Sequence, residues 1–70
     1  MEQSLRVFVT VVEKKSFTKA AAALHMTQPA VSQHIQLIER HVGTKLLDRS
    51  SKYVHPNKAG EIVFHHANEI

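Results

Sequence analysis

The chain is predicted to be a small, mainly α domain: three packed helices, a short β-hairpin, and the start of a further helix. Three observations predict this. Apolar residues recur at helical spacing in successive segments between residues 3 and 42. The second and third of these segments meet at a tight break that has neither a glycine nor a long loop. After Gly43 the helical period gives way to a stretch with a polar turn at its centre, and a helical pattern resumes only from Lys58. Seventy residues make one domain with a single core, too small for a cleft that encloses both a substrate and a catalytic apparatus. Cysteine is absent, so neither a disulfide framework nor a thiolate metal site holds the fold, and packing must do so.

Taken in order, Leu5, Phe8, Val9 and Val12 lie at i, i+3, i+4 and i+7, which predicts a helix over about residues 3 to 14 with these side chains facing the core. Lys14 and Lys15 close it at the negative end of its dipole. Ser16 and Phe17 turn the chain, with Phe17 as an apolar plug. Thr18 is read as the N-cap of a second helix from Lys19 to His25, where four consecutive alanines make a thin wall for close packing. Leu24 and Ala20 or Ala21 face inward. Met26 leaves that helix and Thr27 caps the third, about Gln28 to His41, with Pro29 tolerated in its first turn. The third helix has an apolar stripe at Val31, Ile35, Ile38 and Val42, and an opposite face holding Ser32, Gln33, Gln36 and Arg40. Gly43 is the expected left-handed C-cap, and Leu46 and Leu47 return to the core. Residues 46 to 57, LLDRSSKYVHPN, read as a hairpin turning through Arg49 to Lys52. Pro56 cannot continue a strand ladder, Asn57 is a strong N-cap, and the helical pattern from Lys58 to Ile70 runs through Ile62, Val63 and His66.

Charge narrows the partner. From Lys14 to Gly60 eight basic residues face only Glu39 and Asp48, a net of plus six, which suits a polyanion whose condensed counterions are released on binding. Solvated surface is the bland reading of such a bias. No stretch approaches the roughly 20 apolar residues of a membrane span, and the N-terminus lacks the basic and apolar regions of a signal peptide, so a cytoplasmic protein is expected. Six histidines invite a metal, yet His34 and His41 are seven apart and the adjacent His65 and His66 splay by about 100° on a helix. No metal, no cofactor and no catalytic set is predicted; no Ser-His-Asp, Cys-His or carboxylate pair is arranged for hydrolysis.

The third helix carries the functional signal. The unpaired N–H groups at its start, Thr27 and Gln28, suit a phosphate, while its next turn can reach base edges. Gln28, Ser32 and Gln33 are the expected base readers, with Pro29 and Ala30 against a thymine methyl. Gln36 and Arg40 farther along, and Thr18 and Lys19 at the start of the second helix, are expected at backbone phosphates. Arg49, Ser50 and Lys52 in the hairpin would reach the adjacent minor groove. His34, close to this face, is a candidate for a pH-dependent contact. A protein-docking role would need an apolar anchor on the outward face, where Leu37 is the one candidate.

The run SFTKAAAALHMTQPAVSQHIQLIERHVGTKLLDR, followed by the Ala-Gly of residues 59 and 60, resembles the N-terminal winged helix-turn-helix domain of the LysR-type transcriptional regulators over nearly the whole chain. Another winged-helix regulator family would differ mainly in its dimer contacts and ligand. The resemblance implies residues 1–58 as the DNA-binding domain, with its helix-turn-helix at about 18–41 and wing at about 46–57. It implies 58–70 as the truncated start of a linker helix that pairs two copies through Ile62, Val63 and His66. It further implies a homodimer or tetramer on a partly palindromic promoter site, and a small-molecule effector bound only by a larger C-terminal domain beyond this chain. Gln33 stands where many members have Arg, His34 where they have Gln, Lys52 where Arg is common, and Pro56-Asn57 where Leu-Thr is usual. The first exchange removes a guanine-preferring fork, and the third turns a planar fork into a point charge.

Overall fold

The computed structural model describes residues 1–49 and 52–68. The element order is α1 (Glu2–Lys14), α2 (Phe17–Leu24), α3 (Gln28–Val42), β1 (Leu47–Asp48), β2 (His55–Pro56) and α4 (Lys58–Asn68). Mainly helical, with a short antiparallel hairpin between α3 and α4, it is the winged helix-turn-helix arrangement.

Helix α1 is the hub, packed against α2, α3 and α4. Its most buried side chains are Val7, Phe8 and Val11, while Leu5, Val9 and Val12 pack half-buried beside them. The expected stripe of Leu5, Phe8, Val9 and Val12 is therefore displaced by about one residue. Apolar side chains at six of the eight positions from 5 to 12 cover a wide arc. Its centre is buried in the core, and Leu5 and Val9 border the groove shared with α4. Helix α1 ends at Lys15, left-handed at φ 59°, whose N–H donates to the Val11 carbonyl at 2.8 Å.

The cap of α2 is Ser16, not Thr18. Ser16 is extended, and its Oγ accepts the Lys19 N–H at 3.1 Å. Both residue types can cap. Phe17 decides between them, because it enters the core as the first helical residue and sets the boundary one residue before it. The helix also stops earlier than expected, at Leu24. His25 is left-handed at φ 56°, its N–H donates to Ala22 O at 3.3 Å, and the Met26 N–H donates to Ala21 O at 2.9 Å. This wrapped-back pair of bonds lets the chain break sharply without glycine.

Thr27 caps α3, its Oγ1 accepting the Ala30 N–H at 3.2 Å, and Pro29 occupies the first turn. Gly43 ends the helix at φ 94°. Val31, Ile35 and Ile38 are buried, but Val42 is 43% exposed and not part of the core stripe. Glu39 takes the inward position of the last turn, because the chain doubles back there and the Leu46 N–H donates to Glu39 Oε2 at 2.8 Å. The Leu46 carbonyl in turn accepts the Asn57 N–H at 3.0 Å.

In the hairpin Leu47 lies opposite Pro56 and Asp48 opposite His55, and the ladder stops at the proline, which has no N–H to offer. Asn57 then starts α4: its Oδ1 accepts the Gly60 N–H at 2.8 Å while its Nδ2 donates to Lys45 O at 2.8 Å. Gly60 is required by close approach, since a Cβ there would stand 2.0 Å from the Leu46 carbonyl oxygen. Ala59, Val63 and Phe64 pack on the core, whereas Ile62 is 54% exposed. Among the described residues no helix is long and apolar enough to cross a membrane.

Candidate nucleic-acid interface

At about 100° per residue, positions 29, 33, 36 and 40 of α3 fall on one side of the helix and 31, 35 and 38 on the other. The structure follows this division. Gln28, Pro29, Gln33, Gln36 and Arg40 are exposed, Ala30 and Ser32 are half-buried at the margin, and the opposite side is sealed against α1 and α2. A polar ridge on a buttressed helix results. Thr27 is exposed at its head, its hydroxyl oxygen already accepting the Ala30 N–H, so the side chain has only its proton to give a phosphate. Thr18 and Lys19 are exposed in the first turn of α2.

His34 does not belong to this ridge. Its Nδ1 lies 2.9 Å from the Ser4 hydroxyl, half-buried against α1. That direction is about 100° round the helix from Gln33 and points back into the domain.

The hairpin is fastened to the head of α2. The Arg49 guanidinium carbon sits 4.4 Å from the centroid of the Phe17 ring, over its face, and the Val54 N–H donates to the Lys15 carbonyl at 3.3 Å. Arg49, expected at a minor groove, is thus also a brace between wing and helix. Lys52 is exposed near the wing's turn with its ammonium 5.6 Å from the Tyr53 ring centroid. Ser50 lies outside the described residues.

The three residues expected to pair two copies differ in exposure. Ile62 and His66, one turn apart, are exposed, whereas Val63 packs half-buried against the domain's own core. Among the described residues no three His, Asp or Glu side chains come together as metal ligands would.

Sequence reasoning missed two features. Glu39, which entered only the charge count, is 8% exposed and holds the Leu46 backbone from which the wing departs. The second is a cleft of about 700 Å³ between the wing, the end of α1 and the head of α2, with Gln28 at its edge. Its signal in the sequence is the basic run Lys14-Lys15, which suits the end of a helix dipole equally well.

A sequence profile described as "Bacterial regulatory helix-turn-helix protein, lysR family" matches residues 3–61. The chain is 42% identical over 66 residues to the HTH-type transcriptional regulator CysL of Bacillus subtilis (strain 168), covering 94% of this chain and 22% of that protein. It is 49% identical over 57 residues to the HTH-type transcriptional regulator PgrR of Escherichia coli (strain K12), covering 81% of this chain and 19% of that one. The chain thus spans about a fifth of the length of the curated relatives it matches. Among solved structures it is similar to the BenM DBD in its complex with catB site 1 DNA, with a TM-score of 0.94 and 40% identity over 99% of this chain and 77% of that one. It is also similar to Vibrio fischeri DarR in complex with DNA, with a TM-score of 0.93 and 33% identity over 99% of this chain and 24% of that one. The chain belongs to the LysR family of bacterial regulatory helix-turn-helix proteins.

Proposed function

We propose that this domain binds double-stranded DNA sequence-specifically, with α3 in the major groove and the wing beside the adjacent minor groove, as the DNA-reading part of a cytoplasmic transcriptional regulator. The observation that carries this reading is the exposed ridge of Gln28, Pro29, Gln33, Gln36 and Arg40 on a helix whose opposite side is locked into the core. Gln28, Ser32 and Gln33 read base edges, glutamine matching adenine N6 and N7, with Pro29 and Ala30 against a thymine methyl. Thr18, Lys19, Thr27, Gln36 and Arg40 hold phosphates and set the register, and Arg49, Ser50 and Lys52 serve the wing's contact. Two copies address a partly palindromic site, paired through the outward side of α4 with Ile62 and His66. An effector acts through a further domain of the longer regulator. The domain itself performs no covalent chemistry.

The test begins with selection of bound sequences from a random duplex pool. Ser32→Ala and Gln33→Ala are then measured on the selected site and on random duplex. Each lost base contact should cost roughly 1 to 3 kcal/mol on the selected site, about 5- to 150-fold in affinity, and little on random DNA. Equal losses on both would remove these residues from readout.

A further inference from the structure

We propose that the cleft between the wing and the head of α2 seats the phosphodiester backbone of a DNA strand, and that Lys14 and Lys15 at the end of α1 are contact residues for it. This rests on the DNA-binding reading above and enlarges the surface that performs it.

The cleft, about 700 Å³, has Lys14, Lys15 and Lys19 on one side and Lys52 on the other, with Gln28 at its edge. All four lysines are exposed, and among the described residues no carboxylate lines the cleft. Gln28 is also the first residue of the polar ridge, so the cleft continues directly from the face that enters the groove. Four ammonium groups around one open channel repel one another, and an anion threaded between them relieves that repulsion while releasing its own counterions. The lining comes from the end of α1, the first turn of α2, the start of α3 and the wing, so a phosphodiester backbone seated there would meet cations from several elements at once.

The walls are held in place. Lys15 is left-handed at φ 59°, its N–H donates to Val11 O at 2.8 Å, and its carbonyl accepts the Val54 N–H at 3.3 Å. Arg49 stacked on Phe17 braces the same junction. The lysine corner and the wing therefore form one unit.

A competing role for Lys14 and Lys15 is to offset the negative end of the α1 dipole, which would affect stability and not DNA. The two roles separate in one experiment. Affinity of the 70-residue chain for a selected duplex is measured across a salt series for wild type, Lys14→Gln/Lys15→Gln, Lys52→Gln and Arg6→Gln. The last removes one cation in the groove between α1 and α4, away from the cleft, and is matched in charge to Lys52→Gln. Thermal melts of the free chains run alongside. The expected result is a log–log salt slope shallower by about 0.9 per lysine removed, with the preference for the selected site over random duplex retained and the Arg6→Gln slope unchanged. A double variant that melts lower but keeps the wild-type salt slope would overturn the proposal in favour of the dipole role. So would a slope change no larger than that of Arg6→Gln. Absence of duplex binding by the wild type would instead overturn the DNA-binding reading itself, a result distinct from either.

Discussion

Replacing Glu39 by alanine isolates the joint between α3 and the wing. The carboxylate has two partners of unequal worth. Its Oε1 is 3.9 Å from Lys45 Nζ, but the lysine side chain is 83% exposed and the pair sits at the edge of contact distance. Exposed ion pairs of that kind contribute about 0 to 1 kcal/mol. Its Oε2 accepts the N–H of Leu46 at 2.8 Å, and Leu46 is wholly buried. A hydrogen bond to a charged group is worth about 1.5 to 3 kcal/mol, and an orphaned buried N–H costs a similar amount. The backbone bond therefore dominates. Glu39→Ala should destabilise the chain by about 2 to 3 kcal/mol, Glu39→Gln, which keeps an acceptor, by about 1, and Lys45→Ala by under about 0.5. For a domain of this size 1 kcal/mol moves Tm by roughly 4 to 8 °C, so the alanine variant should melt roughly 10 to 20 °C lower. Urea unfolding and thermal melts followed by circular dichroism measure the series, and amide exchange at Leu46 reports the bond directly. If Glu39→Ala and Lys45→Ala proved equally mild, with Leu46 still protected, the carboxylate would not be holding the wing's root.

Gly60→Ala tests the contact of α4 with the same backbone. Helix propensity alone would make alanine stabilising by about 1 kcal/mol, but its Cβ would meet the Leu46 carbonyl oxygen at 2.0 Å and Pro56 Cβ at 3.0 Å. A net loss of about 1 to 3 kcal/mol is expected from the forced backbone shift, and a urea midpoint at or above wild type would refute the close approach. Arg49→Lys keeps the charge but loses the flat face laid on Phe17. It should lower the stability of the DNA-free chain by about 0.5 to 1 kcal/mol and shift the backbone amide resonances of the wing. Unaltered amide resonances at Val54 and Phe17 would show that the stack does not position the wing.

Local rules were enough wherever a residue answers to its near neighbours. Thr27, Gly43 and Asn57 end or begin helices as their chemistry dictates, and the polar and apolar sides of α3 separate as the period requires. The errors fall where distant segments meet. Extending the α3 stripe to Val42 follows from spacing alone, yet the inward place goes to Glu39 because Leu46 returns with an N–H to satisfy. Thr18 and Ser16 are equal as caps on paper, and the burial of Phe17 beneath Arg49 separates them. The lysine cleft joins the end of α1 to the wing through one bond between Val54 and Lys15, a pairing that no local pattern announces.

The position of His34 changes which sequence departures bear on the operator. Gln33 and His34 are adjacent, and both differ from the residues common in LysR-type domains, so a linear reading makes both suspects for altered base preference. Their side chains diverge by about 100° on the helix. Gln33 is exposed on the ridge, whereas His34 meets the Ser4 hydroxyl at 2.9 Å beside α1. Under the proposed DNA-binding function, a substitution at 34 therefore acts on how α3 is seated and should affect all DNA sequences alike. A substitution at 33 acts on the outward face, where an exchange of Arg for Gln trades a fork suited to guanine O6 and N7 for one suited to adenine N6 and N7. Under the DNA-binding reading, the operator preference that sets this chain apart from Arg-bearing relatives is concentrated in Gln33, with Gln28 and Ser32 reading beside it.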